Sequence, residues 1–225
     1  MEYNVQELKK ILQMDQKTLK ETLYFKLQKL GYEVISQDGF LYAPGDIPVL
    51  LIAHLDTVHQ HAADIICFSE DMRFIMSPYG IGGDDRCGVY MILQLIKKFK
   101  CHVLFCEDEE IGCVGARKFV ASNIKPDVKF IIEMDRKGDN DAVFYYCKNE
   151  KFMSFVAKFG FLEAPGTSSD IVHIAPHLNT AAVNISSGYY NAHRQHECID
   201  MYVVEKNIGR IAKMIEADCE HFDFY

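Results

Sequence analysis

The stretch Pro48-Val49-Leu50-Leu51-Ile52-Ala53 is an uninterrupted apolar run. A run this short and this uniformly apolar is typical of a strand buried on both faces, as strands of parallel sheets are. Polar residues follow it at once, beginning with His54 and, two positions later, Asp56. The stretch therefore predicts a central strand whose carboxyl end carries polar side chains, where open α/β sheets bind their ligands.

Similar patterns recur along the rest of the chain. Helical periodicity predicts two helices within the first thirty residues, with Leu30 on the apolar face of the second, and three more over 88–99, 114–123 and 202–219. Apolar runs predict six strands, over 32–36, 40–43, 48–53, 101–106, 128–134 and 180–185. Strands that alternate with helices form mostly parallel sheets covered on both faces. We therefore expect an α/β fold with three layers, α/β/α, and a mostly parallel central sheet.

The composition of the 225 residues is that of an ordinary globular protein. Apolar residues make up 49% and charged residues 25%, and no uncharged apolar stretch approaches the ~20 residues of a membrane span. The formal net charge of −8, without a basic stripe, argues against a nucleic-acid surface. We therefore expect no membrane or nucleic-acid partner. Since no repeat or linker divides the chain, we expect a single domain over 1–225.

The cysteines and the start of the chain bear on the cellular compartment. The eight cysteines are spread evenly without a C-x-x-C pair, and most lie in apolar runs. This pattern favours reduced core thiols over disulfides or zinc knuckles. The first residues lack a basic segment followed by an apolar run, so no secretory signal is visible. Both observations predict a cytoplasmic protein.

Metal-binding residue types follow the predicted buried strands and begin one helix: His54 and Asp56, Asp84, Glu109 and Glu110, Asp135, and His193. Taken singly, each has a plainer interpretation, as a structural histidine, a solvated acidic loop or a helix N-cap. Because the carboxyl ends of parallel strands meet at one edge of a sheet, we expect these side chains to converge. Imidazole and carboxylate suit zinc, and manganese or cobalt can substitute for it.

The sequence blocks around these residues form an ordered series. They are His54-Leu-Asp-Thr-Val, Gly83-Asp-Asp-Arg-Cys-Gly-Val, Glu109-Glu-Ile-Gly-Cys-Val-Gly-Ala, Ile132-Glu-Met-Asp-Arg, Ser169-Asp170 and His193-Arg-Gln-His-Glu197. In wording and order they resemble the co-catalytic di-zinc exopeptidases, the superfamily of aminopeptidases, tripeptidases, carboxypeptidases and acylamino-acid deacylases. The resemblance covers about residues 50 to 200.

The resemblance implies a centre with two zinc ions. His54 and Asp135 would bind one ion, and Glu110 and His193 the other. Asp84 would bridge the two. Two dications against three carboxylates leave one positive charge, which a bridging hydroxide cancels.

The resemblance also implies the chemistry, which is metal-assisted hydrolysis of an amide. Glu109 would act as general base and then as general acid, and Asp56 would only orient His54. The peptide bond between Asp84 and Asp85 would be cis. The substrate would be a short peptide or an acylated amino acid.

Many relatives insert a lid or dimerisation domain, between the positions of Asp135 and His193 or between those of His54 and Asp84. Both intervals are too short for such a domain here. The chain therefore resembles a bare catalytic domain, which favours an aminopeptidase. The residues of the motifs are more similar to those of the lid-bearing branches. An N-acyl amino acid deacylase or a carboxypeptidase-like amidohydrolase is therefore the alternative. A metal-binding non-catalytic homologue is a third hypothesis, and a homo-oligomer stays open.

Other residues near these blocks have only provisional roles. Asp170 is interpreted either as a substrate-side residue or as a plain N-cap. Glu197 is expected to support the loop that carries His193. Adjacency alone suggests four residues for a substrate pocket: Arg136, Arg194, Tyr189 and Tyr190.

Overall fold

The computed structural model describes residues 5–225. Their helices are α1 Val5–Leu12, α2 Gln16–Lys29, α3 Gly83–Leu95, α4 Val114–Ala121, α5 Glu150–Ala157, α6 Ile171–Leu178 and α7 Met201–Glu216. Their strands are β1 Ile35–Gln37, β2 Phe40–Ala43, β3 Ile47–His54, β4 Cys67–Phe68, β5 Phe74–Met76, β6 Cys101–Cys106, β7 Phe130–Arg136, β8 Asp141–Val143, β9 Leu162–Glu163, β10 Ala182–Ser186, β11 Tyr189–Tyr190 and β12 Cys198–Asp200.

The larger sheet has four parallel strands at its centre. Its order is β1-β2-β6-β3-β7-β10-β8-β9, and β6, β3, β7 and β10 run parallel to one another. The flanking strands β2 and β8 pair antiparallel with this centre. Because the central strands point the same way, their carboxyl ends at His54, Cys106, Arg136 and Ser186 lie along one edge of the sheet.

Apolar side chains on the two faces of this sheet form two clusters. In β3, Leu51 belongs to one cluster and Leu50 and Ile52 to the other, as the alternation of side chains along a strand requires. The first cluster includes residues of α1, α2, α3, α5 and α7, and the second includes residues of α4 and α6. The predicted α/β/α fold with a mostly parallel central sheet is confirmed. Within residues 5–225, no helix combines the length and the apolar character that a membrane span needs.

A second, smaller sheet was not predicted from the sequence. Its four antiparallel strands lie in the order β11-β12-β5-β4 and pack against α3. Ile75 and Ile199 point into the first apolar cluster, whereas Phe74 and Met76 are exposed. Strands of two or three residues are too short to show a two-residue periodicity. The loop between β11 and β12 carries His193.

Three predicted helices need correction at their ends, and the one expected over 202–219 ends at Glu216. The helix expected over 88–99 spans Gly83–Leu95, and hydrogen-bonded turns continue from it, which keeps Phe99 in the core. Leu30, expected on the apolar face of α2, lies beyond its last residue and is 39% exposed. Gly31 follows with a φ of 80°, a left-handed conformation that ends helices.

Two helices, α5 and α6, were missed by the sequence analysis. Each has eight residues, and α6 contains Pro176, a residue that the interior of a helix rarely holds. Asn149 caps α5 by accepting a hydrogen bond from the backbone N–H of Phe152 at 3.1 Å. With β8, β9 and β10, these helices occupy the interval between Asp135 and His193. All eight cysteines are free.

Candidate metal centre

His54 lies at the carboxyl end of β3, where it is 1% exposed. Its Nε2 lies 3.2 Å from Oδ1 of Asp84 and 3.5 Å from Oδ1 of Asp135, and its Nδ1 lies 3.1 Å from Oδ1 of Asp56. Burial opposes protonation of the imidazole, but these three carboxylates raise its pKa well above the ordinary value. His54 is therefore surrounded by negative charge in a buried position.

Asp84 lies between two imidazoles. Its Oδ1 is 3.2 Å from Nε2 of His54, and its Oδ2 is 3.2 Å from Nε2 of His193. The same nitrogen of His193 is 3.1 Å from Oε1 of Glu110. The peptide bond between Asp84 and Asp85 is cis, as predicted. The structure thus brings all five predicted ligands together at the carboxyl edge of the central strands.

Asp85 differs from its neighbour in the groups that it binds. Its Oδ1 accepts a hydrogen bond from the backbone N–H of Gly88 at 3.0 Å, and its Oδ2 accepts one from that of His54 at 3.3 Å. Donor atoms of Asp85, His54 and Asp135 lie within 4.8 Å of one another, as do those of Asp84, His54 and Glu110. Both carboxylate oxygens of Asp85 thus accept hydrogen bonds from backbone N–H groups, and it is the carboxylate of Asp84 that faces both imidazoles.

Asp56 connects His54 with the acidic loop. Besides its contact with Nδ1 of His54, its carboxylate accepts hydrogen bonds from the backbone N–H groups of Glu109 at 2.9 Å and Glu110 at 3.0 Å. Burial would raise the pKa of Asp56, but the hydrogen bonds from His54 and the two N–H groups lower it. Asp56 therefore stays ionised and fixes the ring and the loop together.

Glu109 and Glu110 have unlike surroundings. Oε1 of Glu109 accepts a hydrogen bond from the thiol of Cys113 at 3.5 Å, and burial raises the pKa of Glu109. Burial and the charge of Asp84 raise the pKa of Glu110 to about 7. Oε1 of Glu110 is buried, and although it lies 3.1 Å from Nε2 of His193 it makes no well-aligned hydrogen bond with the described residues. A buried oxygen in this state is costly, and a cation would satisfy it.

The donor set as a whole fits divalent metal ions. Burial and the charge of Asp84 raise the pKa of Asp135 well above its ordinary value. Repelling carboxylates of this kind are stabilised in their ionised form by a cation. Two imidazole nitrogens and several carboxylate oxygens are ligands that zinc accepts, with manganese and cobalt as substitutes.

Asp135 is held by neighbours to which the sequence analysis gave no such role. Asn184 on β10 accepts a hydrogen bond from the backbone N–H of Asp135 at 2.9 Å and donates one to its carbonyl at 3.1 Å. The hydroxyl of Tyr189 donates to Oδ1 of Asp135 at 3.3 Å. Oγ of Ser169 lies 3.2 Å from Oδ2 of Asp135 and 2.5 Å from Oε2 of Glu133. Glu133 is two residues before Asp135 on one strand, so the alternation of β7 could have placed both on one face.

Glu197 holds the backbone of the Asp84 segment. Its fully buried carboxylate accepts hydrogen bonds from the N–H groups of Asp84 at 2.9 Å and Gly82 at 3.0 Å. Nε2 of His59 lies 3.0 Å from the same carboxylate. The sequence predicted a role for Glu197 only within the loop of His193. Its contact with Asp84 links residues that are 113 positions apart, which no local pattern reveals.

The structure decides between the two interpretations of Asp170 as far as helix capping is concerned. Asp170 occupies the N-cap position of α6, but its side chain makes no capping hydrogen bond, so the interpretation as a plain N-cap is wrong. The carboxyl of Asp170 is fully buried near the thiol of Cys106, and burial raises its pKa to about 7.

Arg136 and Tyr189 line a cavity of about 310 Å³ beside the candidate ligands. Tyr190 and Arg194 do not line this cavity.

The chain belongs to peptidase family M28, whose family model matches residues 42–208, more than half of the chain. It is therefore a member of the co-catalytic zinc exopeptidase superfamily that the sequence blocks resemble. No curated protein sequence matches the chain significantly.

Several solved structures share the fold. Aminopeptidase PepT from Bacillus cereus ATCC 10987 has a TM-score of 0.76 at 16% sequence identity, over 94% of this chain and 97% of that one. A tripeptidase from Staphylococcus aureus subsp. aureus Mu50 has a TM-score of 0.68 at 13% identity, over 95% and 98%. The TET1 peptidase of Pyrococcus horikoshii, which can assemble into a tetrahedron or a large octahedral shell, has a TM-score of 0.69 at 16% identity, over 95% and 99%. At these identities the similarity establishes the fold.

Proposed function

We propose that this chain is a metal-dependent aminopeptidase that hydrolyses the first amide bond of short peptides. Membership of a peptidase family supports peptide-bond hydrolysis, and similar structures include an aminopeptidase and a tripeptidase. The observation that carries the proposal is the position of Asp84, whose two carboxylate oxygens each lie 3.2 Å from a different imidazole. A carboxylate placed in this way suits a bridge between two metal ions.

We assign His54 and Asp135 to one zinc ion, Glu110 and His193 to the other, and Asp84 to both. The buried Oε1 of Glu110, which lies 3.1 Å from Nε2 of His193 without a well-aligned hydrogen bond, supports this assignment. When bound, zinc lowers the pKa of water and polarises the carbonyl of the scissile bond, and manganese or cobalt can take its place.

Glu109 is assigned as the general base, and Asp56 as the residue that orients His54. Glu109 lines the cavity, and burial raises its pKa toward the range that suits proton transfer near neutral pH. In this role its carboxylate accepts a proton from the attacking water and delivers it to the leaving amine. Asp56 holds Nδ1 of His54 and the backbone of Glu109, so it fixes the base relative to the first ligand.

The same proposal includes the domain organisation, the cellular location and the oligomeric state of the chain. Residues 1–225 form one catalytic domain without an inserted lid. The interval between Asp135 and His193 supports this view, because its strands β8, β9 and β10 belong to the larger sheet. The eight free cysteines support a reducing, cytoplasmic location. A homo-oligomer is in keeping with the TET1 peptidase, which assembles into shells.

A substrate panel with metal added tests the proposal. Purified chain, stripped with a chelator and reloaded with zinc, manganese or cobalt, is given dipeptides with varied first residues, their N-acetylated forms, and N-acetyl amino acids. We expect release of the first residue only from substrates with a free amine, and only with metal. Zinc stoichiometry measured by calorimetry provides a second readout.

The alternatives give different results in the same assay. Hydrolysis restricted to N-acetyl amino acids would replace the proposal with a deacylase, and release of C-terminal residues from N-acetylated peptides with a carboxypeptidase. Binding of two zinc ions without hydrolysis of any substrate would indicate a non-catalytic homologue.

A further inference from the structure

The cavity of about 310 Å³ beside the candidate ligands is lined by four carboxylate side chains and three basic ones. Under the proposed function, all four carboxylates act as metal ligands or as the base, and His193 is a ligand. Only two charged lining residues then remain for the substrate, Arg136 and Lys137, and both are cations.

These two neighbours are not equally available. Nε of Arg136 lies 3.3 Å from Oδ2 of Asp141, and its Nη2 donates a hydrogen bond to the carbonyl of Pro165 at 3.2 Å. Lys137 is exposed, and no carboxylate among residues 5–225 lies within 4.0 Å of its ammonium group. Lys137 is therefore the cation of this cavity that can bind an anionic group of a substrate.

The backbone around Lys137 is fixed. The hydroxyl of Ser186 donates a hydrogen bond to the carbonyl of Lys137 at 2.9 Å and accepts one from the N–H of Asp141 at 2.9 Å. The N–H of Gly138, in the left-handed conformation with a φ of 91°, donates to the carbonyl of Tyr189 at 2.8 Å. A rigid support of this kind reduces the entropy that a lysine loses when it binds a ligand.

We propose, on the basis of the proposed function, that Lys137 binds the substrate carboxylate that follows the scissile amide by one residue. This chemistry is found in the free C-terminus of a dipeptide and in the carboxylate of an N-acyl amino acid. The cavity is at the small end of the range for small-molecule sites, which suits a substrate of this size. Lys137 is thus a specificity-determining residue that selects for short substrates with a free carboxylate.

The test compares alanyl-alanine with alanyl-alaninamide in the zinc-loaded chain. A charge-assisted hydrogen bond predicts a KM about tenfold lower for the acid than for the amide, with similar kcat. Lys137→Met should raise the KM of the acid about tenfold and leave that of the amide unchanged. Lys137→Arg should restore most of the preference. Lys125→Met, an exposed lysine before β7 and so at the opposite edge of the sheet, should behave as wild type.

Binding measurements separate this proposal from the assignment as an aminopeptidase. Calorimetry with N-acetyl-alanyl-alanine and its amide reports on Lys137 even if nothing is hydrolysed, and N-acetyl-alanine tests the second source of the carboxylate. A preference for the acid that disappears in Lys137→Met supports the role. Equal binding of acid and amide by the wild type, or a preference that survives in Lys137→Met, would overturn it. The dependence of turnover on a free amine bears only on the proposed function.

Discussion

The candidate metal centre has a buried half, formed by His54 and Asp135, and a loop half, formed by Glu110 and His193. The side chain of His54 is 1% exposed at the end of a central strand, whereas that of His193 is 51% exposed on the loop between β11 and β12. Asp56 holds the ring of His54, and Asn184 holds the backbone of Asp135. We therefore expect the fold to set His54 and Asp135 before metal binds, whereas the position of the His193 side chain depends on the metal.

The largest effect should come from removing one histidine from each half. His54→Ala leaves buried carboxylates without their counter-charge, so we expect the metal-free chain to lose about 3 kcal/mol of unfolding free energy. His193→Ala removes a half-exposed side chain with ion pairs to Asp84 and Glu110, and should cost about 1 kcal/mol or less. Urea unfolding in the presence of a chelator measures both. Equal losses would break the distinction between the halves.

A second test separates the two neighbouring glutamates. Glu109→Gln keeps the shape of the side chain but cannot accept a proton, so turnover should fall by at least ~10²-fold while zinc stoichiometry stays at wild type. Glu110→Gln removes a charged ligand from the loop half. It should weaken or lose one ion and reduce the stabilisation by zinc.

Zinc titration and thermal unfolding, run beside the peptidase assay, distinguish these two outcomes. If Glu109→Gln lost metal and Glu110→Gln kept both ions, the two roles would have to be exchanged. If neither substitution reduced hydrolysis of a substrate that the wild type cleaves, the proposed mechanism would be wrong.

Glu197 offers a finer test, because it touches the bridging residue without being a proposed ligand. Glu197→Gln exchanges one acceptor oxygen for an amide that cannot accept hydrogen bonds from both Asp84 and Gly82. Zinc affinity should fall about 10- to 100-fold, the usual cost of losing a group that positions a ligand. Glu163→Gln on the exposed strand β9 is the matched control. Unchanged zinc affinity in Glu197→Gln would show that Asp84 is held without this carboxylate.

The smallest effect is a dependence of metal-free stability on pH. The pKa of Glu110 is raised from 4.5 to about 7, and the pKa of His193 from 6.5 to about 9, with hydrogen bonding to Asp84 as the largest cause for His193. Both groups hold protons more tightly in the folded state, so their stabilisation is complete at low pH and is lost as pH rises through these values. The midpoint of thermal unfolding should therefore fall by a few degrees between pH 5 and pH 9 without metal. Zinc-loaded protein should lack this decline, since its ligands are already deprotonated.

The central strands and the candidate ligands could be predicted from the sequence, since both depend on local patterns. The runs over 40–43 and 101–106 form strands with those bounds, and the residues that follow buried strands converge because parallel strands end at one edge. The smaller sheet could not be predicted because its strands are too short to show periodicity. The contacts of Glu197 with Asp84 and of Ser169 with Glu133 depend on tertiary folding, which brings distant positions together.

The hydrogen bond from the N–H of Asp84 to Glu197 has a consequence for the order in which the protein is assembled during translation. A nascent chain that has emerged as far as Ser186 contains every strand of the larger sheet but lacks both His193 and Glu197. Until the ribosome has released those residues, the Asp84 segment is without the carboxylate that holds it. Metal delivered to an unfinished chain would therefore meet the buried half and Glu110 but not His193, so loading of the complete pair has to follow synthesis.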